Sequence, residues 1–201
     1  MIIIDGRESS VSTANMASLE EVLTKVIEAE ALDTRIITDV FVNNEAFSEL
    51  YPHQAEDIEA ADIHRLELCT VSVEEMASNV VVELPKVIDL MSAGSRKIAE
   101  LLRRAELAEG LEMLQDLINM NRDFLATVQV LRFRFASQAS PQLDRLGDSI
   151  GDLLGEIAEV MGNEDWVLVA DLLEYEFIPA CEGWREVILS LAGDVAAEQV
   201  A

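Results

Sequence analysis

Between residues 141 and 162 the apolar side chains Leu143, Leu146, Ile150, Leu153, Ile157 and Val160 step alternately by three and four. Such a strict heptad seam fits one face of a helix and no strand. The following segment carries the same rhythm through Trp166, Ala170, Leu173, Phe177, Ala180, Trp184, Val187 and Leu191. Its phase survives Pro179, which predicts one kinked, continuous helix. Ser140-Pro141 places a cap and then proline at a first helical position, and Gly162-Asn163 predicts the break between the two helices.

The helical period begins at Ser72, where Ser72-x-x-Glu75 forms a capping box. Met76, Val80, Leu84, Val87 and Met91 predict a first helix with Pro85 as a kink or break. Gly94-Ser95 then predicts a boundary, followed by a long second helix to Phe135 with Ile98, Leu101, Leu107, Leu111, Leu114, Ile118, Leu125 and Val128 on its stripe. Short connections between four amphipathic helices predict an antiparallel four-helix bundle over 72–201.

Residues 1–71 read differently. Met1–Ile4, Asp5-Gly6 and Arg7 onward have the form of a hairpin, since Asp-Gly tolerates the positive φ angles of a two-residue turn. Ser18-x-x-Glu21 starts a helix whose stripe is Leu19, Val22, Leu23, Val26 and Ile27. Arg35–Phe41 alternates as a strand, with Ile36, Val40 and Val42 on one face, and Asn43-Asn44 turns the chain. Glu45–Asp62 is acidic and reads as a loop around Tyr51-Pro52, and Ile63–Val71 returns as a strand. The order of strand, strand, helix, strand, loop and strand predicts a ubiquitin-like β-grasp domain. The fold class is therefore α+β: a small β-grasp-like domain over 1–71, then the bundle.

Charge limits the partners. The chain has 39 acidic and 14 basic residues among 201, a net −25, with 50% hydrophobic residues. High charge with this much apolar content argues against disorder. Nucleic-acid backbones and anionic membranes would repel the surface, so neither is an expected partner. The acid falls in two regions: residues 1–71 hold 4 basic and 15 acidic groups, and 146–201 hold 1 and 13. Met1–Ile4 lacks the basic start and long apolar core of a signal peptide, no stretch has the length of a membrane span, and a cytoplasmic location is expected. Cys69 and Cys181 are read as separate reduced thiols.

Motifs for chemistry are sparse. His53 and His64 both precede the helices, and no Glu-x-x-His pair of a di-iron bundle is present. Asp171 and Glu174 share a face but lack nitrogen ligands, Asp57-x-Glu59 lacks the glycine of a calcium loop, and no Gly-x-Ser-x-Gly occurs. No catalytic residue, metal ligand or cofactor is assigned. Gly147, Gly151 and Gly155 recur every fourth residue, and each costs about 1 kcal/mol against alanine inside a helix. A strip of this kind permits close approach of another helix, from within the chain or from a partner. Trp166 and Trp184 lie on the seam, as core filling or as interface anchors.

The run Asp165-Trp166-Val167-Leu168-Val169-Ala170-Asp171-Leu172-Leu173-Glu174-Tyr175-Glu176, followed by Pro179, and the strand Leu66-Glu67-Leu68-Cys69-Thr70 together resemble uncharacterised bacterial proteins. Those have a ubiquitin-like N-terminal part and a helical C-terminal half, and the resemblance implies the same plan here. The expected function is non-enzymatic: an adaptor, scaffold or chaperone-like protein that binds a protein partner and forms a homodimer through its seams. The candidate partner-binding residues are Gly147, Gly151, Gly155, Trp166 and Trp184. The alternatives are a carboxylate-rich metal or small-molecule enzyme in the bundle and an acidic mimic of nucleic acid.

Overall fold

The computed structural model describes residues 1–13, 15–48, 54–135 and 141–198. Tyr51-Pro52, His53, Ser140 and the side chains of Pro141 and Leu143 lie outside the described residues. The chain divides into two compact units, Met1–Met76 and Ala77–Ala201.

In the first unit, β1 (Ile2–Ile4) and β2 (Arg7–Ser9) form a hairpin. Asp5 and Gly6 take φ of 48° and 77°, the left-handed pair that a tight hairpin needs. Helix α1 (Leu19–Ala29) starts at Ser18, whose Oγ accepts from the Glu21 N–H, while the Glu21 carboxylate accepts from the Ala17 N–H at 2.7 Å. β3 (Arg35–Val42), β4 (Glu45–Phe47) and β5 (Leu66–Ser72) complete a mixed sheet in the order β2-β1-β5-β3-β4. β1 and β5 are parallel and the other neighbours antiparallel. Leu19, Val22 and Val26 of α1 share one core with Ile2, Leu66 and Leu68 of the sheet.

Two sequence readings change here. The segment read as loop from Glu45 holds β4 at its start, paired to β3 through the Asn43-Asn44 turn. The register of β3 also slips between Ile37 and Asp39, so Ile37 faces Thr70 and Val40 faces Leu68. The extra residue resets the alternation, and Ile37 rather than Ile36 shares the face of Val40.

A polar cluster ties the hairpin to the sheet. The Thr70 backbone N–H and hydroxyl donate to the two oxygens of Asp5, both at 2.7 Å. Arg35 Nε donates to Thr70 Oγ1 at 2.6 Å, and its Nη2 donates to the Thr70 carbonyl at 3.0 Å. Asn43 serves the other end of the sheet: its Oδ1 accepts from the His64 and Arg65 N–H groups, and its Nδ2 donates to the Asp62 carbonyl.

Among the described residues the second part of the chain has five helices, where four are expected. They are α2 (Val73–Arg103), α3 (Leu107–Phe135), α4 (Pro141–Gly162), α5 (Trp166–Leu172) and α6 (Ile178–Glu198). The last two are joined by a π-helical turn at Leu173–Phe177. α2 is unbroken at Pro85 and at Gly94-Ser95, and the Ser95 hydroxyl donates to the Met91 carbonyl. The break falls instead at Ala105, where φ is 59° and Glu106 N–H reaches back to the Leu101 carbonyl at 3.0 Å. Ala105 N–H bonds the Leu102 carbonyl, which completes a Schellman ending. α4 closes in the same way with Glu164, not Gly162, in the left-handed conformation. No helix among the described residues is long and apolar enough to cross a membrane.

The buried seams are also offset from the expected ones. On α2 the seam is Ala77, Val81, Leu84, Ile88, Met91, Ser95, Ile98 and Leu102; on α3 it is Gly110, Leu114, Leu117, Asn121, Phe124, Val128, Leu131 and Phe135. Both step by four and three throughout, through small and polar residues that an apolar count passes over. On the last helical run Ala170, Leu173 and Phe177 are followed by Cys181, Trp184, Ile188, Leu191 and Val195. The steps 173→177→181 are four and four, so the π turn absorbs one extra residue. It lies just before Pro179, whose ring would clash with the carbonyl four residues back in a regular helix.

Two outcomes follow from these contacts. The bonds from Thr70, outweighing burial, hold the Asp5 carboxyl below its ordinary value of 3.8. Its contribution is therefore full above that value and is lost as pH falls through the folded pKa. The stability deficit of Asp5→Asn, measured by urea unfolding, is expected at neutral pH and to shrink below about pH 4; a deficit independent of pH would remove this account. Ala105→Gly relieves a left-handed alanine and is expected to stabilise by about 1 kcal/mol in the same assay.

Candidate functional site

The outer face of α4 follows from helix geometry at about 100° per residue. Ile150, Leu153, Ile157 and Val160 point to the core and are buried. Gly147, Gly151 and Gly155 point away: a Cβ built on any of them meets nothing within 4 Å. Gly151 and Gly155 are exposed and Gly147 is half-buried. The strip thus serves no packing among the described residues of the chain. Close approach is used elsewhere, at Gly183 of α6, where a Cβ would lie 3.2 Å from Leu146 Cδ2, and at Gly110 of α3, where it would lie 3.1 Å from Leu102 Cδ2.

Each glycine of the strip is followed by an acid, in the tetrad repeat Gly147-Asp148, Gly151-Asp152 and Gly155-Glu156. This repeat is the signal that a search for glycine spacing alone missed. It places Asp148, Asp152 and Glu156 on the flank of the strip, where they line a groove of about 450 Å3 with Arg145, Ser149, Leu153, Glu176 and Ala180. Four carboxylates against one guanidinium make that groove strongly acidic.

A second groove of about 450 Å3 opens between α3 and α4. Leu125, Val128 and Trp184 give it an apolar wall, and Gln129, Arg132, Asp144, Gly147 and Asp148 a polar rim. Arg132 Nη1 bonds Asp144 Oδ1 at 2.6 Å across the two helices. Gly147 and Trp184 therefore meet at one site. Gly151 and Gly155 continue along α4, and Trp166 is half-buried at the start of α5 outside the groove. Trp184 is 1% exposed, packs edge-on against Phe124 at 5.6 Å between centroids, and has an indole N–H with no acceptor among the described residues.

Two other arginines of the helical unit also hold carboxylates. Arg103 bridges Asp171 and Glu174 at 2.7 and 2.6 Å, so the acidic pair on the last helical run faces a guanidinium. Arg185 holds Asp89 and Glu182. Among the described residues no three of His, Cys, Asp and Glu are grouped so as to hold a metal ion. Cys181 is buried and its thiol is pushed up to about 12 by desolvation, while burial and nearby acids raise Cys69. Neither thiol is poised as a nucleophile at neutral pH.

Fold and surface together define an α+β protein of two units: a five-stranded mixed sheet with its helix, and a helical unit with an acidic, glycine-lined outer face. A family model described as a domain of unknown function (DUF8042) matches residues 79–187, over half of the sequence, and the chain belongs to that family. A second model, a domain of unknown function (DUF8043), matches residues 1–71. No curated protein and no solved structure matches the chain.

The glycines separate by experiment. Gly151→Ala has free space and gains helix propensity, so it is expected to stabilise by about 1 kcal/mol in thermal unfolding. Gly183→Ala must displace Leu146 and is expected to gain less or to lose. Destabilisation by Gly151→Ala would show that the strip is packed after all.

Proposed function

We propose that this chain is a non-enzymatic, cytoplasmic interaction protein, an adaptor or scaffold that receives a helix of a protein partner on the outer face of α4. The observation that carries this reading is the free space over Gly147, Gly151 and Gly155. Three glycines cost the helix about 1 kcal/mol each, and no neighbour among the described residues accounts for them. Small residues let a second backbone approach, and the carboxylates of Asp148, Asp152 and Glu156 select the chemistry of what approaches: a helix with apolar knobs and basic flanks. The N-terminal unit is assigned as a β-grasp domain in this proposal. Its support is a hairpin followed by a helix, with β5 inserted parallel beside β1 in the order β2-β1-β5-β3-β4.

Replacement of Gly151 by leucine fills the strip without touching the core. Affinity capture from native extract is expected to retain a partner on the wild type and lose it on Gly151→Leu, at a melting temperature no lower than that of the wild type. Retention of the same proteins by both would overturn the assignment of this face.

A further inference from the structure

The outer face of α3 carries the chemistry that the α4 face lacks. Ala126, Val130 and Phe133 step by four and three along the side away from the buried seam of α3. Val130 is 68% exposed and Phe133 93% exposed, so this second apolar stripe lies largely open among the described residues. Arg122 lies one turn before the stripe and is 72% exposed, with a loose 3.5 Å pairing to Asp123, and Arg134 adjoins Phe133. From 122 to 134 the helix holds three arginines against one aspartate. From 144 to 159, α4 holds Asp144, Asp148, Asp152, Glu156 and Glu159 against Arg145.

We infer that the occupant of the α4 face is a second copy of this chain, docked through Ala126, Val130 and Phe133 of its α3 between flanking arginines. The inference rests on the assignment of the α4 face above and names its partner. Apolar knobs meet a row of glycines, and the arginine-bearing end of α3, residues 122–134, meets the acidic face of α4, so shape and local charge agree. The groove between α3 and α4 lies at the end of the strip. α3 and α4 border that same groove and are linked by Arg132 and Asp144. In the proposed assembly a two-fold axis repeats the α3-to-α4 contact reciprocally. The assembly closes as a dimer and does not propagate.

Sedimentation velocity of the full chain at micromolar concentration, in buffer of physiological ionic strength, tests this. The wild type is expected to sediment as a dimer. Phe133→Glu, which changes a fully exposed side chain, is expected to weaken the dimer by about thirty-fold or more with no change in melting temperature. The paired reversals Arg122→Glu with Arg134→Glu, and Asp148→Arg with Asp152→Arg, are each expected to be monomeric alone. Mixed together they are expected to restore the dimer, because both contacts in the mixed species pair opposite charges. A monomeric wild type would overturn the second-copy occupant and leave the α4 face to be judged by the capture experiment. A dimer that persists in Phe133→Glu, or reversals that stay monomeric when mixed, would overturn the proposed contact itself.

Discussion

The helical unit is organised by the requirement that its last helical run face three neighbours at once. Trp184 meets Phe124 of α3, Gly183 admits Leu146 of α4, Arg185 holds Asp89 of α2, and Glu182 accepts from the Ser92 hydroxyl of α2. These four consecutive residues of α6 span about one turn, so their side chains point in different directions. Such a hub fixes the rotation of the helix closely, because a shift of one residue would turn the indole away from Phe124. The π turn at Leu173–Phe177 supplies that one-residue adjustment between the part around Ala170 and the part around Trp184. Its place just before Pro179 gives it a local cause, since the proline both lacks an N–H and crowds the preceding turn. An edge-on aromatic pair adds about 0.5–1.5 kcal/mol beyond its burial, which helps offset an indole N–H without an acceptor among the described residues.

Much of the fold was legible where one residue type has one structural use. Asp5-Gly6 and Asn43-Asn44 supply left-handed turns, and both stand at hairpins. Ser18 and Ser72 each accept a backbone N–H three residues on, and each starts a helix. What the sequence concealed follows from residues with several uses. The seams of α2 and α3 pass through Ala77, Ser95, Gly110 and Asn121, so a count of large apolar residues settles on the neighbouring stripe. Gly94-Ser95 looks like a boundary because glycine and serine favour turns, yet the serine satisfies itself on the Met91 carbonyl and the helix continues. The real break at Ala105 uses a residue with high helix propensity in a left-handed conformation, which only the bonds from Ala105 and Glu106 explain. The added residue in β3 is likewise a property of pairing with β5, not of β3 alone.

The candidate site divides along the same line. The period of Gly147, Gly151 and Gly155 could be read from the sequence, but whether the strip faced a neighbour or open space could not. That depends on which stripe of α4 is buried, and Ile150, Leu153 and Ile157 take the opposite side. Trp184 and Gly147 meet only because α4 and α6 pack together, an encounter of residues 37 positions apart. Trp166, with equal standing on the seam, ends outside the groove, since it begins α5 on the other side of the π turn.

The acidic surplus bears on association in two opposing ways. Two copies at −25 repel as whole bodies, but at physiological ionic strength the Debye length is about 8 Å, so charges farther apart than this are largely screened. Contacts at a few ångströms between a guanidinium and a carboxylate are screened much less. A strongly acidic chain that keeps its few arginines in groups therefore rejects most acidic neighbours and admits those that bring a basic patch to the right place. α3 from Arg122 to Arg134 has such a patch, and the face of α4 along Asp148, Asp152 and Glu156 is among the most acidic on the helical unit. The net charge then opposes indiscriminate packing of exposed Val130 and Phe133, and in the proposed contact local complementarity selects the surface those residues meet. On this argument the charge sets specificity, while the glycine strip, by admitting a close backbone, sets how much apolar surface the contact buries.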